Sequence, residues 1–290
     1  MKILAAALIA VVLWGASPVA AKIALSSLSP MMVAILRTVI GGLVALPLAM
    51  LLRIPLPADR AQRRLLVISG FCGFVAFPVL FTLGILHTSA NHASMILAGL
   101  PVFTGLIAMT WDRKRPAVAW WIGCTIAMAG EALLIFGHGL DGATGASIGG
   151  DLLVLASNVF ASLGYVAGGR LEREGYSAMG TTFYGVGLYA LVLWPLLFIV
   201  EPGTAPLAVP TGIWLSIAYL AVGVTIVGYV LWYWALGQGG IARIALLQFL
   251  QPVSGVILAA LLLGEEFGAI FITASGVILF GVWYALKANR

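Results

Sequence analysis

The sequence predicts an all-α polytopic membrane protein. Its ten transmembrane helices form two inverted five-helix repeats, residues 1–137 and 150–287. Three observations predict this fold. First, 62% of the 290 residues are apolar and only 9% are charged, against roughly 25% charged in soluble domains. So little polar surface cannot face water, and the mean hydropathy of +1.11 agrees. Second, apolar runs of about 20 residues, the length of a membrane-crossing helix, recur along the whole chain. Third, the second half resembles the first at an offset of 151 residues.

Taken in order, the apolar runs cover residues 3–22, 31–52, 65–86, 91–111, 117–136, 151–170, 179–200, 212–236, 241–263 and 268–286. Spans three and four, and eight and nine, are joined by only a few residues and form tight antiparallel hairpins. The first run also fits a signal peptide: Met1-Lys2, an apolar stretch, then Val19-Ala20-Ala21. Trp14 and Pro18 stand just before that cleavage site, and cleavage would leave nine spans. The segment is therefore read as a retained span. No stretch between spans is long enough for a separate soluble domain.

The charges set the orientation. The chain carries 15 Lys and Arg against 10 Asp and Glu, a net +5. Arg53, Arg60, Arg63, Arg64, Arg113, Lys114, Arg115, Arg170, Arg173 and Arg243 lie on one side of a ten-span arrangement, with Lys2, Lys287 and Arg290 at its termini. Asp141, Asp151, Glu201, Glu265 and Glu266 lie on the other. Basic loops face the cytoplasm, so both termini are expected there, in an inner membrane. The basic loops then serve topology and lipid headgroups, and no nucleic-acid partner is required.

The offset of 151 places Pro101-Val102 on Pro252-Val253, Ala108 on Ala259 and Gly130 on Gly281. Five spans per half is an odd number, so the second half enters the membrane upside down. Inverted repeats of this kind underlie many secondary transporters, with a substrate site near the midplane.

The opening Leu13-Trp14-Gly15-Ala16-Ser17-Pro18-Val19-Ala20-Ala21-Lys22 resembles the first span of the drug/metabolite transporter superfamily, in its EamA branch. Ala34-Ile35-Leu36-Arg37 is similar to that family's second span, and Leu97-Ala98-Gly99-Leu100-Pro101-Val102-Phe103 to its fourth. The strongest likeness lies in Leu250-Gln251-Pro252-Val253, Leu261-Leu262-Leu263-Gly264-Glu265 and the Gly276-containing last span. In one departure, Trp111-Asp112-Arg113-Lys114 stands where the family often repeats its Gly-Glu pair. The resemblance implies a ten-helix exporter of small metabolites with two EamA repeats. Amino-acid exporters, including those for aromatic amino acids, are the most similar. It also implies that spans five and ten brace the cavity from outside. A multidrug or nucleotide-sugar carrier, or a non-transporting membrane scaffold, are the alternatives.

Polar residues inside spans are costly and usually face the bundle interior. Trp14, Asn91, His92, Asn158, Tyr165, Gln248 and Gln251 are the expected substrate contacts. Gln248 and Gln251, three apart, share one helix face. Pro101 and Pro252 each remove a backbone hydrogen bond and are read as hinges, against a tolerated kink with no moving part. Arg37 sits within span two. It has three readings: an ion pair with Glu131, an extended reach to the surface, or contact with a substrate carboxylate. Glu131, if unpaired, could bind a coupling proton. Lys22 is expected to reach the surface. Tyr229, Trp232 and Tyr233 form one aromatic face, and their place near the cytoplasmic end favours an interfacial belt over a cavity wall. Trp120 and Trp121 are read as belt residues.

Cys72 and Cys124 lie in apolar runs at a spacing that fits no zinc pattern, and are read as packing residues. HExxH, GxSxG, a metal-binding paired-aspartate motif and a Walker A loop are all missing from the sequence. No catalytic residue, metal or cofactor is therefore expected. The expected partners are the lipid bilayer and a small-molecule substrate. The sequence is silent on oligomeric state.

Overall fold

A computed structural model describes residues 2–111, 113, 117–137, 147–200 and 209–287. Every regular element among them is helical. Seven helices are long and apolar enough to cross a membrane: α1 (Lys2–Ala24), α2 (Pro30–Leu51), α3 (Arg60–Leu86), α4 (Ala90–Trp111), α6 (Ile148–Arg173), α7 (Ala178–Val200) and α8 (Thr211–Gly239). Three further helical segments carry shorter apolar stretches: α5 (Val118–Gly137), α9 (241–263) and α10 (Ala269–Lys287).

Helix starts follow the local chemistry. The first turn of a helix has backbone N–H groups with no partner inside it. Ser29, Asp59, Ser89, Ser147 and Ser177 each accept one with a side-chain oxygen, from Met32, Gln62, His92, Gly150 and Gly180. Pro30 opens α2, where a missing N–H is harmless.

The interruptions are ordered. α1 breaks at Ala16, two residues before Pro18. α3 widens into a π-helical turn at Cys72–Ala76, and α8 does so over Tyr219–Gly228. Adding 151 carries 72–76 onto 223–227, inside the second stretch. Short 3₁₀ turns at Leu97–Gly99 and Leu246–Phe249 precede Pro101 and Pro252. A proline cannot donate to the carbonyl four residues back, so the preceding turn tightens instead. The backbone thus deviates from α geometry at corresponding places in the two halves.

Helices at corresponding places also pack on each other. α2 meets α7 and α5 meets α10 along most of their lengths, and α3 meets α8. Large apolar side chains cover the outside: Leu43, Leu51, Phe198 and Leu261 are each more than two-thirds exposed. That surface suits lipid and not water. The expectation for Trp120 needs correction. It is buried against Gly105 of α4, whereas the neighbouring Trp121 is half exposed as a belt residue should be.

Candidate functional site

The centre of the bundle is an aromatic cluster built on Trp14. Its indole stacks on Tyr165 of α6, with centroids 5.2 Å apart and planes inclined by 9°. Tyr229 and Trp232 of α8 each meet it edge-on at 5.2 Å. Trp14 and Tyr165 are themselves 151 positions apart, so residues related by the sequence offset meet face to face. Gly228 makes this possible, because a Cβ there would lie 2.5 Å from the indole nitrogen.

The π turns supply the polar partners. Widening a helix by one residue frees carbonyls that side chains then satisfy. Trp14 Nε1 donates to Val224 O at 3.0 Å, and Tyr229 OH donates to Gly73 O at 3.2 Å. Residues 73 and 224 are again 151 apart. α2 spans both turns with consecutive residues: Thr38 donates to Phe74 O at 2.7 Å, and Arg37 donates from Nη2 to Thr225 Oγ1 at 3.2 Å.

Tyr229, Trp232 and Tyr233 are all fully buried, which corrects the belt expectation. Tyr233 shares a hydrogen bond with Ser69 of α3 at 2.8 Å. The trio forms an inner wall, with no face turned to a membrane surface.

Trp14, Ser17, Phe77, Leu100, Tyr165, Val224, Tyr229 and Gln251 enclose a space of about 10 Å³. That holds about one water. The aromatic rings thus leave this space too small for a ligand. Several buried polar atoms lack hydrogen-bond partners among the described residues: Arg37 Nε and Nη1, both amide atoms of Gln248, Oε1 of Gln251, Oδ1 of Asn158 and both amide atoms of Asn91. Leaving such an atom unmet costs about 1–3 kcal/mol.

The expected site residues fall into separate groups. Trp14, Tyr165 and Gln251 line the central space. Gln248 is fully buried but does not line it. Asn158 donates from Nδ2 to Ile96 O at 2.7 Å. That carbonyl is free because Leu100 N turns back to Leu97 O in the 3₁₀ turn before Pro101. Ser162 and Thr104 continue the link between α6 and α4. Asn158 therefore clasps the distorted turn of α4. The Glu131 side chain lies outside the described residues, and with it the expected Arg37–Glu131 pair.

Asn91 and His92 sit elsewhere, at the end of the bundle that holds the start of α4. His92 Nδ1 lies 2.9 Å from Asp151 Oδ2, and Thr88 donates to the same carboxylate. Asp151 is fully buried, not a loop acid as the sequence suggests. Glu265 accepts the backbone N–H groups of Ala90 and Asn91 at 2.9 and 2.8 Å, closing the start of α4 from the α9–α10 loop. Lys22 is partly buried and donates to Ile85 O and Thr88 O, so it bonds across α3 instead of reaching the surface freely. Sequence reasoning missed Asp151 and Glu265 as partners. The one available signal was an acidic residue at the first position of an expected span. Removing the buried carboxylate takes away the acceptor of the Thr88 hydroxyl and the partner of His92 Nδ1, at about 1–3 kcal/mol for an unmet buried polar group. Asp151→Ala should therefore lower the melting temperature of the detergent-solubilised protein, while substitution of exposed Glu266 leaves it unchanged.

The model of the EamA-like transporter family matches residues 1–136 and 148–286. The uncharacterized transporter YdeK of Bacillus subtilis (strain 168) is 34% identical over 266 residues, covering 90% of this chain and 88% of YdeK. A protein of Streptantibioticus cattleyicolor named "Probable terminal-alkyne amino-acid exporter" is 27% identical, covering 73% of this chain and 70% of its own. One crystal structure shares the fold over 99% of both chains, with a TM-score of 0.70 at 19% identity.

Proposed function

This chain belongs to the EamA-like transporter family and is a multi-pass membrane transporter, and we propose that it exports small metabolites, amino acids first among them, by alternating access around Trp14. In this reading ten helices cross the inner membrane as two inverted repeats, 1–137 and 150–287, with both termini in the cytoplasm. The observation that carries the reading is that polar atoms are buried without partners among the described residues, Gln251 Oε1 in the wall of the nearly closed aromatic space and those of Arg37 and Gln248 elsewhere in the bundle. A bundle needed only for packing is more stable with apolar groups there, because unmet polar atoms destabilise it. A carrier requires them, because they meet the cargo or water in another conformation.

The closed centre is then the occluded form, in which the Trp14–Tyr165 stack separates the two ends of the pathway. Pro101 and Pro252 are the hinges, each following a 3₁₀ turn that can change its winding at low cost. Asn158 holds the first hinge in its present form, and residue 7, the corresponding position in the first half, is alanine. α5 and α10 brace the moving helices. The name of the Streptantibioticus relative supports amino acids as cargo. Purified protein in liposomes should carry radiolabelled amino acids across the membrane faster than protein-free vesicles. Absence of protein-dependent flux for all twenty would overturn the amino-acid reading. Binding of bulky cations in their place would favour the multidrug alternative.

A further inference from the structure

We propose that Arg37 is the anion-binding point of the transport pathway, and that the cargo is an amphipathic carboxylate whose acid group, not its ammonium, is recognised by charge. The inference rests on the transport reading and adds the chemical class of its cargo. Arg37 is 1% exposed, about a third of the way along α2. Its only hydrogen bond among the described residues is from Nη2 to Thr225, which leaves Nε and Nη1 unmet. No carboxylate among the described residues lies within ion-pair distance of it. A guanidinium presents its donors as a planar fork that fits two carboxylate oxygens. A buried one without a counter-ion is strongly disfavoured unless an anion completes it.

Its position connects it to the central space. Thr225 follows Val224, whose carbonyl takes the Trp14 indole and which lines that space. Parting Trp14 from Tyr165 would open an aromatic slot whose Val224 wall continues into Thr225, the residue that Arg37 Nη2 bonds. An apolar body fits between the rings, with its carboxylate toward Arg37. The lining contains no acidic side chain. A ligand ammonium meets ring faces, the neutral hydroxyls of Ser17, Tyr165 and Tyr229 and the Gln251 amide oxygen, with no charged partner, so it is tolerated and not required.

The test uses purified full-length protein and three probes sharing one phenyl body. These are 3-phenylpropionate with only the carboxylate, 2-phenylethylamine with only the ammonium, and L-phenylalanine with both. Thermal stabilisation is titrated with each, since a ligand of the folded state raises the melting temperature. Both carboxylates should stabilise the wild-type protein and the amine should not. Arg37→Gln should weaken the carboxylates at least tenfold, and Arg37→Lys should weaken them less. The assignment is overturned if 2-phenylethylamine stabilises the wild-type protein as well as 3-phenylpropionate does, a comparison that needs no variant to fold. It is also overturned if Arg37→Gln lowers the melting temperature yet binds 3-phenylpropionate unchanged, for then the arginine serves structure alone. Amino-acid flux in liposomes without stabilisation by either carboxylate removes the Arg37 assignment and leaves transport standing. Loss of both the flux and the stabilisation removes the two together.

Discussion

Trp14→Ala is expected to abolish measurable flux and to destabilise the protein by about 3–5 kcal/mol, the usual cost of deleting a large buried aromatic ring. The indole stacks on Tyr165, meets Tyr229 and Trp232 edge-on, and donates to Val224 O. Removing it leaves a void between α1, α6 and α8. It also leaves the carbonyl of a π-helical turn without its donor, inside a membrane where no bulk water can replace it. Trp14→Phe separates the two losses. It keeps most of the stacking area and loses the N–H, so its melting temperature should fall between those of the wild type and Trp14→Ala. If the ring closes the pathway, Trp14→Phe keeps partial flux in liposomes. Flux from Trp14→Ala equal to wild type, in protein shown to be folded, would mean that cargo passes elsewhere.

Much of this site was legible in the sequence. The distortions at Pro101 and Pro252 follow from proline chemistry, which acts through the backbone and needs no knowledge of neighbours. Trp14 stood out because it lies deeper in its span than a belt residue should, beside the small residues Gly15, Ser17 and Pro18. The failures have one physical origin, which is that burial and hydrogen bonding in a helix bundle depend on neighbouring helices. Tyr229, Trp232 and Tyr233 read as a belt when depth is counted along a regular helix. Yet α8 is π-wound over Tyr219–Gly228, and Gly168 and Gly228 let the rings pack inward. Gln248 and Gln251 are three apart and share a face in α and 3₁₀ winding alike, so their separation comes from the helices packed around them. Gln248 is fully buried away from the central space, and of the two only Gln251 lines it. Asp151 reads as a loop acid because its partners Thr88 and His92 are about 60 positions away in sequence.

The same dependence on neighbours governs the α5–α10 pair. Gly281→Leu should lower the melting temperature by about 2–12 °C, the shift that overpacking by 1–3 kcal/mol produces in a large domain. A Cβ at Gly281 would lie 2.3 Å from Ala127 N and 2.8 Å from Gly123 O. At Gly123 it would lie 2.3 Å from Ala285 N. These obstacles are backbone atoms, which no side-chain rotation can clear, so the helices must separate. Membrane helices gain little from apolar burial as such and associate through close van der Waals contact at small residues. Separation therefore removes most of what joins them. Gly276→Leu, in the same helix, is the control: nothing lies within 4 Å of its Cβ position, so the melting temperature should change little. If α5 and α10 brace the transporter from outside its pathway, Gly281→Leu protein that remains folded at low temperature keeps its carboxylate affinity within about twofold and loses only thermal stability. A large loss of affinity in that variant would place the α5–α10 pair in the transport pathway itself.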